Sequence, residues 1–70
     1  MPVITYNTVE GVLSNEMKEE LTQALTQAVG QVMGEKIKKN AWVIINESPE
    51  GNFAIGGHSV TAAGLKSLMS

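Results

Sequence analysis

Ala41-Trp42-Val43-Ile44-Ile45-Asn46-Glu47 is a near-continuous run of apolar and β-branched residues, and how it is read decides the fold. A strand that is apolar on both faces fits a parallel sheet covered from two sides better than a half-solvated hairpin. A parallel partner needs a crossover of a dozen residues or more, and the upstream sequence supplies both the partner and the crossover. Val3 to Val9 is a second β-rich run, with Ile4 and Tyr6 on one face and Val3 and Thr5 on the other. Between the two runs, Met17, Leu21, Ala24, Leu25, Ala28 and Val32 recur at steps of three and four, the stripe of one helix face. Ser14 is placed to cap that helix, with Glu16, Glu19 and Glu20 near its positive end. Gly34 is its stop. Gly30 interrupts it at a cost of about 1 kcal/mol relative to alanine, which suggests the close approach of another backbone. Lys36, Lys38 and Lys39 follow the negative end of the helix and read as a solvated charge cluster. The unit is β-α-β with a right-handed crossover.

Beyond it, Ser48-Pro49-Glu50-Gly51-Asn52 reads as a turn and Phe53 to Ile55 as a short third strand. Gly56-Gly57 is flexible backbone that matches no phosphate-binding pattern. The segment from His58 to Ser70, with Val60, Leu65, Leu68 and Met69, reads as an arm with a helical turn that docks on a neighbouring subunit. No repeat or linker appears, so residues 1–70 are expected to form a single domain.

Seventy residues bury only about 60% of the surface that the unfolded chain exposes, so the core is marginal. With no cysteine and a single histidine, His58, neither a disulfide nor a zinc site within one chain can reinforce it, and no metal or cofactor is expected. Oligomerisation is the remaining support. A two-stranded sheet with one helix also leaves a face uncovered, and the cheapest cover is another copy of the chain. A net charge of -2 argues against nucleic acid as a partner. The longest apolar run, Ala41 to Ile45, is too short to span a membrane, and no signal peptide precedes it, so a cytoplasmic location is expected.

Pro2 follows Met1, and removal of Met1 would make it an N-terminal secondary amine. A free α-amino group titrates at about 7.7–8.0, and an apolar pocket would lower that value towards neutrality. Such a group serves general acid-base catalysis near pH 7. The ordinary explanation is that proline after methionine merely permits clean processing.

Several segments together resemble the 4-oxalocrotonate tautomerase family. They are the Met-Pro strand, Glu10-Gly11, the Ser14-Asn15-Glu16-Met17-Lys18 helix start, Val43-Ile44-Ile45-Asn46-Glu47, and Gly51-Asn52-Phe53-Ala54-Ile55-Gly56-Gly57. The resemblance runs from Pro2 to about Gly57. It implies an α+β fold: a β-α-β subunit with a parallel two-stranded sheet and a short C-terminal β segment, the sheet completed by oligomerisation. The assembly it implies is a homohexamer, a trimer of dimers, with an active site around each terminal proline. The activity it implies is keto-enol proton transfer on a small enol or keto acid, with Pro2 as the general base and Phe53 as an apolar wall.

This chain departs from that pattern in having no arginine. The two arginines that the resemblance leads one to expect fall at Val12 or Leu13 and at Trp42. Lysine presents only a point charge where arginine binds a carboxylate with two parallel bonds. The expected substrate is therefore less charged than a diacid, with Pro2 catalytic and Phe53, Trp42 and Lys39 contacting it. Trp42 and Phe53 also have a plain packing explanation. The alternatives are a catalytically inactive oligomer or small-molecule binding protein on the same fold, and a hydratase or dehalogenase relative using Glu47 or Glu10 to activate water. His58, isolated in a loop, reads as an exposed residue without a catalytic part.

Overall fold

The computed structural model describes residues 1–69. Strand β1 (Val3–Val9) leads into helix α1 (Asn15–Met33), a short helix α2 (Glu35–Lys38) and strand β2 (Trp42–Ser48). A 3-10 turn over Glu50–Asn52, a hairpin of β3 (Ala54–Ile55) and β4 (His58–Ser59), and helix α3 (Ala62–Ser67) complete the chain.

β1 and β2 pair in parallel, from Val3 opposite Trp42 to Val9 opposite Ser48. Backbone bonds extend the ladder at both ends: Trp42 N donates to the Pro2 carbonyl at 2.9 Å, and Glu10 N to the Ser48 carbonyl at 2.9 Å. Because side chains alternate along a strand, Ile4, Tyr6 and Thr8 share a face with Val43, Ile45 and Glu47. α1 lies on that face, tied to it by an ion pair between Lys18 and Glu47. The opposite face presents Val3, Thr5, Asn7, Trp42, Ile44 and Asn46, all exposed, and ends on Val9, buried, and Ser48, half-buried.

The hydroxyl of Ser14 accepts from Met17 N at 3.1 Å, so the cap is formed as expected. The packed stripe of the helix matches the expected one at three of its six positions, Met17, Leu21 and Leu25, which are half-buried together with Lys18, Thr22, Thr26 and Val29, whereas Ala24 and Ala28 are exposed and Val32 is 83% exposed. Threonines can occupy the packed face because their hydroxyls bond the preceding turn, Thr22 to the Glu19 carbonyl at 2.9 Å and Thr26 to the Thr22 carbonyl at 2.8 Å. Gly30 is indeed a point of close approach, but to a side chain and not a backbone. A β-carbon there would lie 2.7 Å from Cδ of Lys38. Lys38 is accordingly half-buried, its ammonium 3.4 Å from Oε1 of Gln27 and 3.8 Å from Glu35, while Lys36 and Lys39 stay exposed.

Gly56 and Gly57 are not slack. Both take positive φ, 56° and 84°, as a two-residue type I′ hairpin turn requires, and they close β3 onto β4. Val60 N donates to the Phe53 carbonyl at 3.1 Å, which lengthens the hairpin by one pair. Thr61 caps α3 through Gly64 N at 3.0 Å, and a Glu50 carboxylate oxygen accepts from Ala62 N at 2.8 Å. The arm thereby returns to its own subunit, with Ala62 beside Gly11 in the β1–α1 connection.

Among the described residues only Val9 and Thr8 are buried, at 1% and 9% exposure. The accessible surface is 5158 Å², against about 4,200 Å² for a compact monomer of this mass. The radius of gyration is 14.4 Å, against about 11 Å for a compact chain of this length.

Candidate active site

Pro2 heads β1. Its carbonyl is held by Trp42 N at 2.9 Å, and its ring is half-buried. Proline brings no N–H to the ladder, so the Pro2 nitrogen takes no part in sheet pairing, and Met1 before it is exposed. Trp42 begins β2 at the same end of the sheet, 54% exposed on the uncovered face opposite Val3. Lys39 is exposed in the turn between α2 and β2, its backbone N–H bonded to the Glu35 carbonyl at 3.1 Å. Fold topology therefore brings Pro2, Trp42 and Lys39 to one end of the molecule.

Phe53 is not with them. It is half-buried at the base of the hairpin, bordering a hollow of about 300 Å³ with Thr8, Val9, Ile55, Val60 and Leu65. Those strand positions lie some 20 Å along β1 from Pro2 at the usual rise per residue. Within one subunit Phe53 is a packing residue. Glu47 is engaged by Lys18, and Glu10 donates its backbone N–H to Ser48 at 2.9 Å; both belong to the same far end. His58 is exposed on β4, as expected.

One feature escaped sequence reading. Val12 and Leu13 line a groove of about 420 Å³ with Met17, Met69 and Lys66, so the cation facing Val12 and Leu13 comes from α3. Lys66 lies more than fifty residues from Val12 in the chain, and only the return of the arm brings the two together. Among the described residues no helix is long and apolar enough to cross a membrane.

Fold and site together define a β-α-β subunit whose parallel ladder opens on a proline and whose second sheet face is exposed except at its Val9–Ser48 end. The family described as "Tautomerase enzyme" matches residues 2–63, and the chain belongs to it. Three solved structures show the likeness over most of their length. DmpI from Helicobacter pylori is 31% identical, with 84% of this chain and 95% of that one covered at a TM-score of 0.73. TomN, a 4-oxalocrotonate tautomerase homologue of the tomaymycin biosynthetic pathway, is 28% identical, with 99% and 97% covered at 0.74. A structure solved in an analysis of trans-3-chloroacrylic acid dehalogenase activity is 25% identical, with 86% and 100% covered at 0.74. No curated protein matches the chain. The expected fold class stands: a parallel two-stranded sheet, one long crossover helix and a short C-terminal β segment.

Proposed function

We propose that this chain, folded as a single domain, is the subunit of a homohexameric keto-enol tautomerase in which Pro2, freed by loss of Met1, is the general base. The observation that carries the reading is the state of Pro2: half-buried, fixed through its carbonyl by Trp42, with its nitrogen outside the ladder. The freed amine takes a proton from one position of an enol or keto acid and returns it to another, so no other reactant is consumed. Phe53 supplies the apolar wall from a second copy, since its own subunit keeps it at the far end of β1. Trp42 offers a stacking surface, and Lys39 faces the substrate carboxylate as a point charge. With no arginine in the chain, the substrate class is a monoacid of the enolpyruvate type in preference to a diacid. This soluble oligomer works in the cytoplasm and requires no nucleic acid.

The test is a panel of enol monoacids and diacids on processed protein and on Pro2→Ala. Loss of the base is expected to lower kcat by about 10²–10⁴-fold, with monoacids turned over faster than diacids. Equal rates for the two proteins on every compound remove Pro2 from the mechanism. Intact-mass measurement on protein from its natural host tests the premise, and retained Met1 leaves the second reading: a binding protein on a tautomerase scaffold. That reading is favoured by the apolar residues where arginines are expected, Val12 or Leu13 and Trp42. The hydratase or dehalogenase reading draws on the 25% identical neighbour, but Lys18 already engages one of its two candidate carboxylates, Glu47.

A further inference from the structure

The exposed stretch of the sheet face opposite α1 is aromatic and aliphatic at its Val3–Trp42 end and changes character at Asn7 and Asn46, which stand opposite each other in register just before the buried Val9 and half-buried Ser48 close the face. Asn46 Nδ2 donates to Asn7 Oδ1 at 3.1 Å, and both side chains are exposed. Two primary amides together carry four N–H groups and four carbonyl lone pairs. One mutual bond uses one of each, leaving three donors and three acceptors directed away from the pair. Exchanging the oxygen and nitrogen of either amide leaves this balance unchanged.

The rest of the face, the exposed Val3, Thr5, Trp42 and Ile44 and the covered Val9 and Ser48, carries no charge. The chain exposes 5158 Å², roughly 900 Å² more than a compact monomer of its mass. A hydrocarbon partner would bury the apolar end well but strand six polar functions at the other, and a stranded buried donor or acceptor is costly. A charged partner finds no opposite charge. A second copy presents the same two amides, with equal numbers of donors and acceptors.

We propose that the Asn7–Asn46 pair is a homotypic polar lock, each pair exchanging amide hydrogen bonds with the pair of another copy and so fixing the register and number of copies at this face. The inference rests on the reading that copies of the chain cover the sheet. It assigns to two residues a task that hydrophobic burial cannot perform, because an apolar surface tolerates sliding and a buried amide tolerates only the registers in which it is paired.

The experiment compares the unmutated protein with Asn46→Leu and with the double variant Asn7→Leu/Asn46→Leu by native mass spectrometry and sedimentation. The single variant leaves Asn7 without its partner and is expected to raise the dissociation constant at least tenfold. The double variant removes both amides and is expected to recover affinity while spreading over more than one stoichiometry. Hydrogen exchange of the Asn7 and Asn46 side-chain amides in the unmutated assembly gives a readout independent of folding in the variants. Protection far beyond that of a solvated asparagine is expected. Solvent-like exchange, or variants that keep the original mass and dissociation constant, overturns the lock while leaving assembly and Pro2 chemistry intact. An unmutated protein that sediments as a monomer removes the assembly and the lock together.

Discussion

Ser14 shows what a single side chain does when its task is local. Its hydroxyl meets an amide that would otherwise go unpaired at the start of a 19-residue helix. Ser14→Ala is expected to cost about 1 kcal/mol, read as a lower midpoint in urea with an unchanged slope. Gly57 is constrained in a different way: its φ of 84° admits an L-residue only under strain. Gly57→Ala is expected to destabilise the hairpin by about 1–2 kcal/mol, seen as faster exchange of the Val60 amide that bonds Phe53. The cap was legible because it depends on neighbours three residues away. The separation of Phe53 from Pro2 was not, because it depends on how the hairpin folds back beside Thr8 and Val9.

The elements were legible in proportion to their length. β1, α1 and β2 each carry enough periodic positions to declare themselves, whereas α2 is a single turn hidden in a lysine-rich stretch and β3 and β4 have two residues each. On α1 the expected Met17, Leu21 and Leu25 are on the packed stripe, but hydrophobicity alone also placed Ala24, Ala28 and Val32 there. Thr22 and Thr26, their hydroxyls satisfied within the helix, can bury methyl groups that a polarity scale ignores. Contacts between elements are partly ionic. The Lys18–Glu47 pair joins α1 to β2 with side chains 33% and 23% exposed. Lys18→Met is expected to lower stability by less than about 1 kcal/mol, an effect that shrinks in high salt. The arm depends on Glu50, whose carboxylate oxygen accepts from Ala62 N at 2.8 Å. Glu50→Ala is expected to speed exchange at Ala62 by about tenfold, the loss of roughly one hydrogen bond, without moving the main transition.

At the scale of the molecule, two buried residues among those described and a 42 × 23 × 17 Å outline make a small core for a chain of this length. If copies complete the core, thermal stability follows mass action. Each tenfold dilution is then expected to lower Tm by about 4–8 °C, the shift of roughly 1 kcal/mol per chain in a domain of this size, while a stable monomer shows none. The small core was legible from length and the missing disulfides, and the exposed sheet face from the β-α-β order. The bond between the Pro2 carbonyl and Trp42 has a consequence for how such a protein matures. Because Met1 makes no bond to the ladder and lies exposed beside it, the removal of Met1 that the proposed function requires would trim a strand that is already moored. On that proposal the cut would free the Pro2 nitrogen while the bond from Trp42 N to the Pro2 carbonyl kept the strand in place.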